Sequence, residues 1–424
     1  VSEFKFSPRT HHCGPMPSLT HCRDDFPILK RPVHNGTPLA FLDNAASTQR
    51  PQSVINTISD CYERYYANVH RGIHTLSEES TKRYERSRKS VAKFIGAKHD
   101  HEVIYTAGAT AAINTVARSW GGQRLTSSDT VLLTIAEHHA NIVPWQQLAT
   151  EIGFKIEYLP LEDDFQLRTE TVQEALERHQ PKLFAFTAAS NVLGTSFPVA
   201  EWTALAHQQG STVLVDAAQA APHQPLNVQT WNADFLVFSG HKVCGPTGIG
   251  VLHGKEKLLD EMPPFLGGGG MISRVTTEGF ESAALPDKFE AGTPPIAEAI
   301  GLEAAVEYLG EIGLEKIEEH EKKLAKHAEQ GLRQIEGVRV IGPQSGEKTG
   351  IVSFVLSHAH AHDVAHSLSE RGIAVRAGHH CTMPLHHALG ITATTRASFY
   401  FYNTMEEAEL LIQSVAEIQK KFAP

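Results

Sequence analysis

The run Asp234-Phe235-Leu236-Val237-Phe238-Ser239-Gly240-His241-Lys242 passes from an acid through four apolar residues and closes on three side chains that carry chemistry, Ser239, His241 and Lys242. A continuous apolar stretch of this length reads as a strand buried on both faces, as in a parallel sheet. Its carboxyl end then delivers Ser239, His241 and Lys242 to the edge where ligands collect in open α/β sheets. A lysine amine at such a place is a candidate for covalent catalysis on a carbonyl compound.

Working outward, similar short apolar runs occupy residues 103–105, 131–133, 183–186 and 213–215, and helical segments such as 141–152 separate them. Strands interleaved with helices at this spacing predict an α/β fold with a mostly parallel sheet and helices on both faces. After about Pro294 the pattern changes. Helices are predicted at 297–312, 315–335, 363–370 and 405–422, with strands at 350–356 and around Ala374 and Ala397. That is a smaller α+β domain, joined to the first by a long helix.

Composition narrows the function. The 424 residues carry 38 basic and 48 acidic side chains, a formal charge of −10 without a long block of one sign. This argues against nucleic-acid or anionic-membrane binding. No apolar stretch reaches the length of a membrane-spanning helix. The five cysteines (Cys13, Cys22, Cys61, Cys244, Cys381) are scattered and odd in number, which is the usage of a reducing compartment and predicts a cytoplasmic protein. The first 25 or so residues show no periodic apolar face and no signal-peptide core, and read as an extension.

Four motifs carry candidate chemistry. In Thr106-Ala107-Gly108-Ala109-Thr110 a strand end meets a small-residue turn and then a helix, 111–120, whose free N–H groups suit a phosphate; plain helix capping is the alternative. Asp216 ends a continuous apolar strand, where a carboxylate is costly unless paired, and a protonated pyridine nitrogen would pair with it; an N-cap is the alternative. His138, in Glu137-His138-His139, follows another strand and is placed to stack on an aromatic ring. Arg376-Ala377-Gly378-His379-His380-Cys381 sets a thiol beside two imidazoles and a guanidinium, groups that favour the thiolate. No G-x-G-x-x-G follows a strand, and no lysine completes a Walker loop. The tract His358-Ala359-His360-Ala361-His362-Asp363 reads as a solvated loop capping the next helix through Asp363, not as a metal site.

These residues, in this order, resemble the class II, SufS-type, cysteine desulfurases and selenocysteine lyases of the class V aminotransferase superfamily. Further marks are 42–48 (Leu-Asp-Asn-Ala-Ala-Ser-Thr), 68–74 (Asn-Val-His-Arg-Gly-Ile-His), 190–194 (Ser-Asn-Val-Leu-Gly) and 289–294 (Phe-Glu-Ala-Gly-Thr-Pro). The resemblance implies a fold-type I pyridoxal 5'-phosphate (PLP) enzyme with a seven-stranded large-domain sheet. With residues 1–24 read as a disordered extension, it implies 25–40 as a segment packing with the small domain, 41–296 as the PLP-binding domain and 297–424 as the small domain carrying the cysteine. Lys242 would bind PLP as a Schiff base, Asp216 the pyridine nitrogen, and His138 would stack on the ring with Gln219 near its phenolic oxygen. Ala109, Thr110, Ser239 and His241 would hold the phosphate, with Thr293 coming from the second subunit of a homodimer. Asn191, Arg396, Arg376, Ala45 and His379 would form the substrate pocket, Arg396 clamping a carboxylate through its two-pronged guanidinium. Cys381 would take sulfur from L-cysteine, release L-alanine and pass the sulfur to a SufE- or SufU-like acceptor for iron–sulfur cluster assembly. Cystine lyase, a kynureninase-like hydrolase and an inactive scaffold are the alternative readings. The chain departs from the family pattern at Ala111, Ala188 and Cys244, and Cys244 is a second candidate thiol.

Overall fold

The structure, a computed structural model, describes residues 19–34 and 36–422. Phe235–Ser239 is a strand with all five residues buried. It lies inside a seven-stranded sheet ordered, by first residue, Val103, Gly250, Phe235, Thr212, Leu183, Thr130, Lys155. Neighbours run parallel except at Gly250–Gly254, which is antiparallel to both Val103–Thr106 and Phe235–Ser239.

Alternation along each strand sends side chains to two layers. Phe235 and Val237 join one hydrophobic core, with Ala112, Ile113 and Val116 of the helix Ala109–Val116; Leu236 and Phe238 join the other, with Tyr84, Val91 and Ile95 of Thr75–Ile95. Burying one such side chain contributes about 1.5–3 kcal/mol. Phe238→Ala would therefore cost about 3–5 kcal/mol and loosen the strand that carries the lysine.

The helix Ile296–Ile312 packs on Thr75–Ile95 and turns at Gly313 (φ 93°) into Leu314–Arg333. Leu314–Arg333 lies against Met405–Phe422 over a third core that includes Val352, Phe354 and Ala397. Met405–Phe422 begins with Glu406 and Glu407 and ends with Lys420 and Lys421, charges that suit the helix dipole at both ends. Its sheet is antiparallel throughout, ordered Val338–Ile341, Ile351–Leu356, Thr394–Ser398, Arg376–Gly378.

Two expectations are corrected. Ordered chain reaches back past residue 24: Leu19–Asp25 forms a 3-10 helix, Leu19 and Cys22 are buried, and Arg23 donates to Leu39 O and Tyr402 O. Residues 1–18, with Cys13, lie outside the described residues. The helix expected at 363 starts at Ala361, because the His360 ring rather than Asp363 takes the free N–H of His362. Among the described residues no group of side chains is arranged to hold a metal ion, and no helix is long and apolar enough to cross a membrane.

Ala40–Phe41 pairs in parallel with Ile373–Ala374, and Asn44 Nδ2 donates to Ser398 O (2.6 Å) and Asn403 Oδ1 (3.0 Å). The residues just before the large sheet are thus built into the small domain, which brings residues 43–46 over the carboxyl ends of the large-sheet strands.

Candidate active site

A cavity of about 190 Å³ opens where those strand ends meet the small domain. Lys242 lines it from the 3-10 turn Gly240–Lys242, directly after the strand Phe235–Ser239. Burial holds the amine down to about 8, against the pull of Asp216. Asp216, the last residue of Thr212–Asp216, is buried; desolvation raises its carboxyl, while Lys242 and the Ala218 N–H (2.9 Å) oppose the rise. An acid and an amine therefore face one small space, each kept off its ordinary value by lack of water.

The phosphate-type turn forms as the sequence implied. Gly108 adopts φ +154°, and Ala109 starts the helix and donates its N–H to Ser239 Oγ at 2.9 Å. A Cβ on Gly250 would lie 2.4 Å from Gly108 Cα, so glycine at 250 lets the turn settle onto the neighbouring strand. Thr110 and His241 line the same end, and burial, with Lys242 and Arg50, holds His241 down to about 4.

His138 covers the middle of the cavity. Its Nδ1 accepts from Ala140 N (3.0 Å), which places the ring proton on Nε2, and burial beside Lys242 keeps it down to about 3. It is a neutral, flat face at neutral pH. Behind it, Glu137 takes the Thr134 hydroxyl (2.5 Å), Asn141 Nδ2 (2.7 Å) and Thr187 N–H (3.0 Å), tying two strand ends to the histidine turn. Gln219 Nε2 donates to Ala45 O (2.7 Å), while its buried Oε1 has no partner among the described residues.

The small domain closes the other side. Arg396 is buried, donates Nη1 to Asn191 O (3.0 Å) and Nη2 to Asp43 Oδ1 (3.4 Å), and has a buried Nε without a partner among the described residues. Arg376, expected beside the thiol, pairs with Asp43 (2.9 Å). Cys381 is exposed and lines the mouth of the cavity. It and His380 adopt φ of 58° and 49°, left-handed values that cost a non-glycine residue about 1–2 kcal/mol each.

Thirteen of the fifteen residues proposed from the sequence line this one cavity; Thr293 and His379 do not. Thr293 is exposed in the loop after Glu290, and the exposed His379 ring lies 5.6 Å from that of His139. His380, expected to activate the thiol, lines the cavity but is otherwise engaged: its Nε2 bonds Thr394 Oγ1 (2.9 Å), and burial beside Arg396 holds it down to about 2, so it anchors the turn as a neutral ring. Cys244 is excluded as a second thiol, because it is buried outside the cavity and burial pushes it up to about 12. Asp43, His139 and Glu137 act at the site without having been singled out. Each lies inside or beside a motif already quoted, but its partners are remote in sequence.

The residues present fit pyridoxal phosphate. An amine suits its aldehyde, a buried acid its ring nitrogen, a neutral imidazole its face, and a glycine turn at a helix start its phosphate. The orphaned Gln219 Oε1 and Arg396 Nε are polar groups that a bound cofactor and substrate would satisfy.

Comparison with known proteins agrees with this chemistry. The model of the family described as aminotransferase class-V matches residues 40–411. A probable cysteine desulfurase of Streptomyces coelicolor is 47% identical over 405 residues, 94% of this chain and 97% of that protein. The cysteine desulfurase of Haloferax volcanii is 45% identical over 413 residues, 95% and 97% of the two chains. Among solved structures, the apo cysteine desulfurase of Thermococcus onnurineus superposes with a TM-score of 0.91 at 40% identity, covering 96% of this chain and all of that one.

Proposed function

The chain belongs to the class V aminotransferases and acts as a PLP-dependent cysteine desulfurase, and we propose that Lys242 holds the cofactor while Cys381 takes the sulfur. One observation carries the assignment: the Lys242 amine and the Cys381 thiol line a single cavity, the first at its buried end and the second at its open mouth. Other PLP chemistries use such a lysine and have no need of a thiol there.

Pyridoxal phosphate, when bound, supplies an electron sink that stabilises negative charge at the substrate Cα. Asp216 would pair with the ring nitrogen, His138 would pack on the ring face, and Gln219 would face the phenolic oxygen. Ala109, Thr110, Ser239 and His241 hold the phosphate. Thr293, exposed on a loop away from its own cavity, is supplied to the partner's phosphate in a homodimer. Arg396 and Asn191 bind the cysteine carboxylate, with Arg376 and Ala45 at the rim and His379 outside the thiol.

The Lys242 amine, when not bonded to the cofactor, would remove the Cα proton; its lowered value of about 8 suits a base working close to neutrality. The Cys381 thiolate then attacks the substrate sulfur. An S–S bond forms, the C–S bond breaks with its electron pair left on carbon, protonation there gives a methyl group, and a proton returned to Cα by Lys242 completes alanine. Cys381 is left as a persulfide, which a SufE- or SufU-like protein accepts for iron–sulfur cluster assembly in the cytoplasm. The short interval between Cys381 and the helix Met383–Ala388 supports collection by a visiting partner, since so few residues cannot swing far.

The test is to supply L-cysteine to the holoenzyme, measure alanine, and locate the sulfur by mass spectrometry of labelled peptides. Stoichiometric alanine and a persulfide on Cys381 are expected. Alanine without a persulfide on Cys381 would overturn the assignment.

A further inference from the structure

Three consecutive ties run from the large domain to the turn that bears Cys381. Asn191 Nδ2 donates to His380 O at 2.8 Å. The backbone N–H of His139 donates to Cys381 O at 2.7 Å. The ring of the same histidine, through Nε2, accepts the N–H of Met383 at 3.0 Å. His139 thus grips the chain twice just after the Cys381 Cα, once with its backbone and once with its side chain, while Asn191 holds the residue before it.

We infer that His139 is the positioning residue that holds the Cys381 thiol over the cavity for attack on the substrate sulfur. The inference rests on the assignment of Cys381 as acceptor thiol. His380 and Cys381 both sit in left-handed backbone conformations, which non-glycine residues keep only where surrounding contacts impose them. Within the turn itself, Cys381 N–H meets His379 Nδ1 (3.2 Å) and Thr382 N–H meets His379 O (2.8 Å), bonds that shape the turn without fixing it to the large domain. Of the three ties that do fix it, the His139 ring supplies the one beyond the thiol-bearing residue, and only as an acceptor at Nε2, which puts its proton on Nδ1. Its ring stands beside that of His379 (5.6 Å), and burial together with His379 lowers its affinity for a second proton, so the acceptor form prevails at neutral pH. His138 and His139 are in this view two adjacent imidazoles with separate tasks, one toward the cofactor plane and one toward the thiol.

Removing the ring should leave cofactor binding and Cα chemistry intact and misplace the thiol. The experiment compares wild type, His139→Ala and His139→Gln as full-length holoenzymes, a glutamine Oε1 being able to accept the Met383 N–H in place of the imidazole nitrogen. Three readouts are taken: the visible spectral change on adding cysteine, the single-turnover rate of persulfide formation on Cys381, and the rate of Cys381 alkylation by iodoacetamide without substrate. The Ala variant is expected to keep the spectral change, form persulfide about tenfold more slowly and alkylate about threefold faster, as loss of one backbone-directed hydrogen bond allows. The Gln variant is expected to return both rates to within about twofold of wild type. Loss of the spectral change in the Ala variant along with slower persulfide formation would show general damage and overturn the inference. Wild-type rates of persulfide formation in the Ala variant, or a Gln variant no better than Ala, would overturn the inference; failure of the wild type to load Cys381 would instead overturn the acceptor assignment beneath it.

Discussion

Arg376 Nη2 donates to Asp43 Oδ2 at 2.9 Å, and through Oδ1 the same carboxylate takes Arg396 Nη2 at 3.4 Å. One acid therefore orients two guanidinium groups at the rim, and Arg396 is held from its other side by Asn191 O. Asp43→Asn removes the charge that aligns them. The KM for cysteine should rise about tenfold with kcat changed much less, because misorientation of a carboxylate clamp weakens binding before it touches chemistry. Steady-state alanine assays decide this, and an unchanged KM rejects the role.

Replacing Lys242 tests the covalent anchor. Lys242→Ala should lose the linkage that borohydride traps, and alanine formation should fall at least about a thousandfold, since the general base goes with the anchor. Peptide mapping after reduction is the check. A trapped cofactor on another lysine would show that the anchor lies elsewhere.

Cys381→Ala separates the cofactor half of the site from the sulfur half. The variant should stay yellow and still respond to cysteine in its visible spectrum, while persulfide formation disappears and alanine release drops about a hundredfold or more. Selenocysteine turnover should fall less, because the weaker C–Se bond depends less on the attacking thiolate. Persulfide found on Cys244 in this variant would contradict the exclusion drawn from its burial.

Stability should depend on pH through Glu321, whose Oε2 lies 2.6 Å from His223 Nδ1 between the two domains. Burial pushes this carboxyl from the ordinary 4.5 up to about 7, with His223 pulling the other way. Below about 4.5 both folded and unfolded chains hold the proton and the contribution is fully present. Between 4.5 and 7 only the folded protein holds it, so stability falls as pH rises through that window. Against Glu321→Gln, which cannot titrate, the wild-type Tm should drop by a few degrees between pH 5 and pH 8, or about 1–2 kcal/mol. Parallel Tm curves for the two proteins would refute the assignment.

A protein acceptor should matter more than a small thiol. Basal alanine release is expected to be modest and to rise strongly with a small acceptor bearing a reactive cysteine, because Cys381 is pinned to the large domain at neighbouring backbone positions. A titration with such an acceptor gives the answer; equal rates at every concentration would favour a stand-alone lyase.

Much of this molecule was legible before any coordinates. The helix 405–422 is delimited to the residue by its apolar period and charged ends, and the strand Phe235–Ser239 to within one residue by the unbroken apolar run 235–238. Strand direction was not legible, since the buried strand Gly250–Gly254 has the same apolar character whether it runs parallel or antiparallel. Asp216, Ser239 and Ala109 could be placed because each ends a strand or opens a helix. Asp43, His139 and Glu137 could not, because what they do depends on partners such as Arg376, Met383 and Thr187, tens to hundreds of positions away. His360 hid as a cap because an imidazole is an uncommon one.

The stitching of the amino-terminal segment into the small domain has a consequence for biosynthesis. Asn44 finds its carbonyl partner on Ser398, 354 positions later, and Ala40–Phe41 completes its pairing only with Ile373–Ala374. A ribosome-bound chain can therefore assemble the seven-stranded sheet while residues 40–44, and the rim carboxylate of Asp43 with them, still wait for strands not yet translated. The rim of the cavity is therefore completed only after residues 373–398, with position 381 among them, have been synthesised, so the two halves of the site become available together.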